Sequence, residues 1–225
     1  MKKLLILTLA FVLSACGEPA TPKATRQYPM YVVILEDGGT ITDDQKEQMR
    51  ITTLNLLQQL TKLSRFASTR HSTINIIRTS RPNQIAFSGT PQQLADNANT
   101  VSKLVSYTNS YSDLVYSYEQ VAATIKLNQP TDVRLYHVGV FLHAGFSNLN
   151  KPIDIKLPQA VPELSLPRFL DRVSTLRVMN YHPDQTGNLI DYFSKIGALQ
   201  RKRDGSLDFK MLSAAEVNAS LKKLL

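Results

Sequence analysis

Short apolar segments rich in β-branched residues alternate with segments of helical periodicity along most of the 225-residue chain. The first of them, Met30–Leu35, has the sequence MYVVIL and is followed by Glu-Asp-Gly-Gly, which predicts a buried strand that ends in a tight loop. Strands that alternate with helices usually form a parallel sheet, because each helix returns the chain to the start of the next strand. The pattern therefore predicts an α/β fold, a three-layer sandwich with a mostly parallel central sheet and helices on both faces.

One part of the pattern predicts a hairpin. Arg81-Pro82-Asn83 is a turn signal between two strand-like segments, so the short strand at 84–87 is expected to run antiparallel to its neighbour. The further predicted strands are 73–77, 133–142, 175–179 and 206–211. The predicted helices are 42–64, 92–105, 112–127, 188–197 and 214–224.

The first fifteen residues have the features of a bacterial secretory signal. Two lysines precede an apolar run at residues 4–13, and two small residues follow it. Ten residues are too few for a membrane-spanning helix, which needs about 20. The one cysteine of the chain, Cys16, comes next, so neither an intrachain disulfide nor a multi-thiolate metal site is possible.

The segment Leu13-Ser14-Ala15-Cys16 resembles the lipobox of bacterial lipoproteins. The resemblance implies cleavage before Cys16, a diacylglycerol thioether on its sulfur and acylation, for example by palmitate, of the new amino terminus. Two or more acyl chains anchor a protein stably, because each buried methylene contributes about 0.8 kcal/mol. Gly17, in place of the Asp that retains lipoproteins at the inner membrane, implies the outer membrane of a Gram-negative cell, and we expect the anchored domain to face the periplasm.

The predicted organisation has three parts. Residues 1–15 form the signal peptide, residues 16–28 are the lipidated cysteine and a flexible tether, and residues 29–225 form one domain. Removing the signal peptide takes away two of the 26 basic residues and none of the 18 acidic ones, so the net charge falls from +8 to +6. Because an envelope lipoprotein does not meet nucleic acid, this positive charge is not interpreted as nucleic-acid binding.

The order of the predicted elements in residues 29–225 resembles that of the von Willebrand factor A domain. That family holds a metal ion in three loops: Asp-x-Ser-x-Ser after the first strand, a Thr before a helix, and an Asp after the central strand. When the strand ends are aligned, Glu36, Gly38 and Thr40 take the three positions of the first loop. A shift of one residue would place Asp37, in place of Glu36, at the first position.

The other two loops complete a degenerate metal-ion-dependent adhesion site. Ser112 is the counterpart of the family's Thr, and Ala144 stands where the third loop should carry its Asp. Mg²⁺ usually depends on one or two carboxylates, and this site has lost one carboxylate and at least one hydroxyl of the family pattern. We therefore expect no metal or only weak binding, and no other cofactor. The alternative is a rearranged site that uses Glu36 or Asp37 with His143. A histidine ligand would suit zinc, but zinc usually takes three or four strong protein ligands.

A possible interaction surface is predicted from five further side chains. Arg201, Lys202 and Arg203 form a basic run beside a turn, which is either a solvated turn or a contact for acidic lipid or an envelope polymer. His143 and His182 follow predicted strands, where ligands of open α/β sheets bind.

No enzyme motif is present in the sequence. It contains neither a nucleophile elbow nor a Gly-rich phosphate loop, and Cys16 is consumed by lipid. We therefore expect a non-enzymatic protein–protein interaction module in an envelope complex, for example in a secretion or conjugation apparatus. A metal-dependent adhesion module and an envelope hydrolase with an unrecognised site remain the alternatives.

Replacing Cys16 by alanine tests the predicted anchor. The variant is expected to lose incorporation of labelled palmitate and to disappear from the outer-membrane fraction, because no thiol remains for the diacylglycerol. Thr21→Ala, in the tether, is the control and should keep both. A Cys16→Ala protein that fractionates like the unsubstituted protein contradicts the prediction.

Overall fold

The computed structural model describes residues 28–38, 42–107, 111–144 and 157–225. Its strands are β1 (Met30–Leu35), β2 (Thr73–Arg78), β3 (Ile85–Gly89), β4 (Val133–Val138), β5 (Val173–Met179) and β6 (Asp208–Leu212). They form one sheet in the order β3-β2-β1-β4-β5-β6. Every neighbouring pair is parallel except β2 and β3, which confirms the mostly parallel sheet with one short antiparallel strand.

Helices cover both faces of the sheet. Four of them pack on one face: α1 (Asp43–Lys62), α2 (Pro91–Asp96), α3 (Ala98–Ser102) and α7 (Ala214–Ser220). Three pack on the other: α4 (Leu114–Asn128), α5 (Thr186–Lys195) and α6 (Ala198–Arg203). The three-layer sandwich is therefore confirmed. Short 3₁₀ turns lie at Leu63–Arg65, Leu166–Arg168, Leu170–Arg172, Pro183–Gln185 and Leu221–Lys223.

β1 lies inside the sheet and supplies both cores. Its alternate residues Met30, Val32 and Ile34 pack against the α4 side, and those between them pack against the α1 side. All six residues are buried. A strand covered on both faces needs apolar side chains at every position, which explains the unbroken MYVVIL sequence.

Side-chain caps begin several helices where the sequence places them. Thr42 accepts a hydrogen bond from the Gln45 N–H at the start of α1, and the Gln45 side chain accepts one from the Thr42 N–H in return. The same capping box begins α2 at Thr90 and α7 at Ser213. Asp113 caps α4.

Several predicted elements are shorter than expected, among them the closing helix 214–224, whose α-helical part ends at Ser220. β4 ends at Val138 and not at residue 142, because Phe141 has a left-handed backbone (φ 64°) that no strand accommodates. His143 therefore lies in a loop. The predicted helix 92–105 is two helices, since Asn97 has non-helical backbone angles and its side chain bonds the Gln93 carbonyl.

The two ends of the sheet have different roles. We call the end where the parallel strands begin the amino end, and the end where they finish the carboxyl end. Tyr28 and Pro29 lead into β1 at the amino end. At the carboxyl end the chain leaves β1 and β4 towards opposite sides, which is the switch point where open α/β sheets form sites.

The predicted signal peptide, Cys16 and all but the last residue of the tether lie outside the described residues. Among the helices that the structure describes, none is long and apolar enough to cross a membrane.

Candidate functional site

Three loops meet at the carboxyl end of the sheet, as the predicted site requires. They are 36–38 after β1, 111–113 before α4 and 139–144 after β4. Ser112 and Ala144 are joined by two backbone hydrogen bonds of 3.0 and 2.8 Å. The structure thus brings the predicted second and third loops together. Thr40 lies outside the described residues, and Gly38 is buried in the first loop.

Glu36 directly follows β1, and its side chain contacts the loop after β4. Its side chain is only 1% exposed. Its two carboxylate oxygens accept hydrogen bonds from consecutive backbone N–H groups, those of Phe141 at 2.8 Å and Leu142 at 2.9 Å. Successive backbone N–H groups of this kind form a small anion-binding nest. The carboxylate of Glu36 fills that nest from within the protein.

Two buried aromatic side chains extend the contacts of Glu36. His137 Nε2 lies 3.1 Å from Glu36 Oε2, and His137 Nδ1 lies 3.4 Å from the Tyr118 hydroxyl. Because a carboxylate only accepts hydrogen bonds, the ring proton of a neutral His137 is assigned to Nε2, facing Glu36. Nδ1 is then the acceptor for the Tyr118 hydroxyl, whose pKa is raised by burial. His137 is thus a buried core residue with a hydrogen-bond partner for each ring nitrogen.

Gly139 allows the backbone to pass close to Glu36. A Cβ atom at this position would overlap the Cβ and the carboxyl group of Glu36. Only glycine leaves this space free, so the position of the Glu36 side chain depends on a glycine at position 139.

Asp37 turns to the opposite side, towards β2. Its Oδ2 accepts hydrogen bonds of 2.6 Å from both Arg78 Nε and the Ser80 hydroxyl, and its Oδ1 accepts one of 2.9 Å from the Ser80 N–H. Arg78 also donates to the Ser106 carbonyl. The Asp37 charge is therefore neutralised by a buried guanidinium at the end of the neighbouring strand.

The hydroxyl and carboxylate before α4 are also engaged. Ser112 donates from its hydroxyl to the hydroxyl of Thr79 at 2.9 Å, and the Asp113 N–H donates to the Thr79 carbonyl. The Asp113 side chain caps α4 and lies 3.9 Å from His143 Nδ1. These contacts fix the second loop on the end of β2.

The family's metal does not fit these residues. Glu36 and Asp37 point to different sides and already accept hydrogen bonds from protein donors, and Ala144 has no ligand atom in its side chain. Within the part of the chain that the structure describes, no three His, Cys, Asp or Glu side chains form a metal-binding group. The rearranged site with His143 gains no support either, since His143 Nδ1 accepts the Leu114 N–H at 3.3 Å.

The predicted interaction surface is divided between the two ends of the sheet. His143 and His182 are at the carboxyl end, where the His182 N–H reaches the Val140 carbonyl and its ring caps the turn at Pro183. Arg201, Lys202 and Arg203 end α6 at the amino end. Arg201 is built into the fold, because its guanidinium donates to the carbonyls of residues 170 and 173; the other two are exposed.

Two glutamines that the sequence does not single out hold the site together. Gln159 exchanges two side-chain hydrogen bonds with the backbone of His143. Gln185 donates to the Phe141 carbonyl and accepts the Gln159 N–H. No local signal marks these residues, because each acts on a segment distant in sequence. Arg78 could have been suspected from the sequence, because a cation at the end of an apolar strand indicates a nearby anionic partner.

The chain matches no protein-family model, and no curated protein is significantly similar to it. Neither comparison assigns the chain to a family.

Gly139→Ala tests the packing of Glu36. We expect the free energy of unfolding to fall by about 2–4 kcal/mol, because the new methyl group displaces a buried hydrogen-bonded carboxylate. Gly187→Ala is the matched control: its Cβ meets nothing within 4 Å. That substitution lies in α5 and should be neutral or stabilising by up to about 1 kcal/mol. If the two variants unfold at the same urea concentration, the close packing of Glu36 against Gly139 is contradicted.

Proposed function

We propose that this protein is an outer-membrane lipoprotein of the von Willebrand A-like type, which acts as a non-enzymatic interaction module. Its lipid anchor is Cys16, and its partner is a protein of an envelope-spanning complex, for example a secretion or conjugation apparatus.

The main support for the proposal is that the carboxylates of Glu36 and Asp37 already accept hydrogen bonds from donors within the protein. Each carboxylate has at least three hydrogen-bond contacts with protein groups. Releasing either one to a ligand would leave a buried guanidinium or two buried N–H groups without a partner, at a cost of several kcal/mol. The carboxyl end is therefore suited to present a fixed protein surface.

The N-terminal segment joins the domain at the amino end of the sheet, which supports a partner at the carboxyl end. The tether leads into β1 at the amino end, so an anchored domain would hold its amino end nearer to the membrane. His143 and His182, which are partly exposed, lie at the opposite end and would then face away from the membrane.

Burial of the one acid–base chain at this site favours a non-enzymatic role. Tyr118, His137 and Glu36 form a hydrogen-bonded series that resembles a proton relay, but all three are enclosed. The described residues leave these three side chains almost no solvent-exposed surface, whereas a catalytic acid or base must come within hydrogen-bond reach of the reacting atoms.

Photo-crosslinking in cells tests the proposal. A photoreactive amino acid at position 143 or 182 is expected to give the same discrete adduct with an envelope protein, because both positions lie on one end of the domain. Position 58, exposed on α1, is the control and should not give that adduct. The adduct should persist when divalent cations are chelated.

Each other outcome has a definite meaning. Adducts that vanish with the chelator support the metal-dependent adhesion module and overturn the metal-free site. Absence of an adduct at both positions, in a protein that fractionates with the outer membrane, overturns the interaction role.

A further inference from the structure

Positive charge is concentrated at the amino end of the domain. The four segments that lead into strands there are 62–72, 126–132, 166–172 and 195–207, and they hold ten Lys or Arg residues against three Asp residues. The basic residues are Lys62, Arg65, Arg70, Lys126, Arg168, Arg172, Lys195, Arg201, Lys202 and Arg203, and the acidic ones are Asp132, Asp171 and Asp204.

Nine of these ten cations are exposed, Arg201 being the exception. Within the described residues, none of the nine forms an ion pair with a carboxylate. Their charge is therefore available to an external anionic surface.

The carboxyl end has the opposite sign. The described segments 36–38, 42–44, 78–84, 111–113, 139–144, 180–186 and 212–216 contain seven Asp or Glu residues and two Arg residues. Glu36, Asp37 and Asp113 are buried, which leaves four exposed acidic residues against one exposed arginine, Arg81. Acidic residues at helix starts and basic residues at helix ends are both stabilised by the helix dipole. Among the seven helices that the structure describes, α1, α4, α5 and α7 start at the carboxyl end. These preferences therefore contribute to a charge asymmetry along the strand direction, and such an asymmetry favours one orientation at a charged surface.

Two exposed apolar side chains lie among the cations. Phe66 is 59% exposed in the turn before β2, and Leu127 is 83% exposed at the end of α4. α1 and α4 cover opposite faces of the sheet, so the two side chains flank the strand beginnings from both sides. Apolar side chains interspersed with Lys and Arg are typical of surfaces that rest in the headgroup region of a bilayer.

The chain enters the domain at this same end. Tyr28 packs its ring on His71, whose segment also carries Arg65, Phe66 and Arg70. The eleven residues from Gly17 to Gln27 span at most about 35–40 Å when fully extended. A lipid on Cys16 therefore keeps the amino end within reach of the bilayer surface.

We propose that the amino end of the domain docks on a bilayer that contains anionic phospholipid, with Phe66 and Leu127 in the headgroup region and the basic side chains against the phosphates. This inference rests on the proposed lipid anchor at Cys16. Docking fixes the orientation of the domain, so that its acidic carboxyl end faces away from the membrane.

Site-specific labelling of the full lipidated protein tests the orientation. The mature protein has no free thiol if Cys16 carries lipid, so an introduced cysteine is unique. Ser68→Cys and Asn83→Cys place an environment-sensitive fluorophore in the exposed turns before and after β2, one at each end of the sheet. Vesicles of phosphatidylglycerol and phosphatidylcholine at about 3:7 are compared with vesicles of phosphatidylcholine alone.

The expected result is a difference between the two labels. In anionic vesicles, quenching by neutral acrylamide should fall about threefold or more for the label at 68 and stay unchanged for the label at 83. The difference should shrink in about 0.5 M NaCl, because salt screens the lipid charge. The double substitution Phe66→Ser and Leu127→Ser, with the label at 68, should restore most of the quenching.

The failures of the two proposals are distinguishable. If the unsubstituted protein takes up the thiol label, Cys16 is free and the anchor is wrong. If the unsubstituted protein takes up no label and stays on both kinds of vesicle, but labels at 68 and 83 are quenched equally, the anchor holds and the docking is overturned.

Discussion

The hydrogen bonds of Glu36 to the loop after β4 determine the shape of the carboxyl end. They join the two central strands at the switch point of the sheet, and they hold Phe141 in a left-handed conformation that non-glycine residues seldom adopt. A buried carboxylate without such partners would cost several kcal/mol. Gly139 leaves the space for it, and His137 supplies a further donor. The loop and the carboxylate are therefore one unit, and neither keeps its position without the other.

The same arrangement accounts for the proposed role. A von Willebrand A-like site would present its carboxylates to a metal, whereas here one carboxylate binds a backbone nest and the other, Asp37, binds Arg78 and Ser80. The end of the sheet is closed by internal contacts and is suited to protein contact. Under the proposed anchoring, the opposite charges of the two ends would orient this surface, with the basic amino end towards the lipid anchor and the acidic end towards a partner.

Local signals in the sequence predict most of the fold. The MYVVIL segment predicts β1, which is buried on both faces, and the helix predicted at 42–64 is observed as Asp43–Lys62 with Thr42 as its N-cap. The proximity of Ser112 and Ala144 is what the resemblance to the von Willebrand factor A domain implies. The partners of the carboxylates could not be predicted, because Glu36 bonds groups 101–106 residues away and Asp37 bonds groups 41–43 residues away. Such pairings depend on tertiary contacts that no local pattern encodes.

Amide hydrogen exchange of Phe141 and Leu142 tests the internal role of Glu36 most directly. In metal-free buffer both amides are predicted to exchange at least about 100-fold more slowly than that of Ser68, which is exposed in the turn before β2, because opening the loop breaks the buried carboxylate contacts. Adding Mg²⁺ should change nothing, and Glu36→Gln should accelerate both. Fast exchange without Mg²⁺ together with protection when Mg²⁺ is added would contradict the account, since Glu36 would then be a metal ligand.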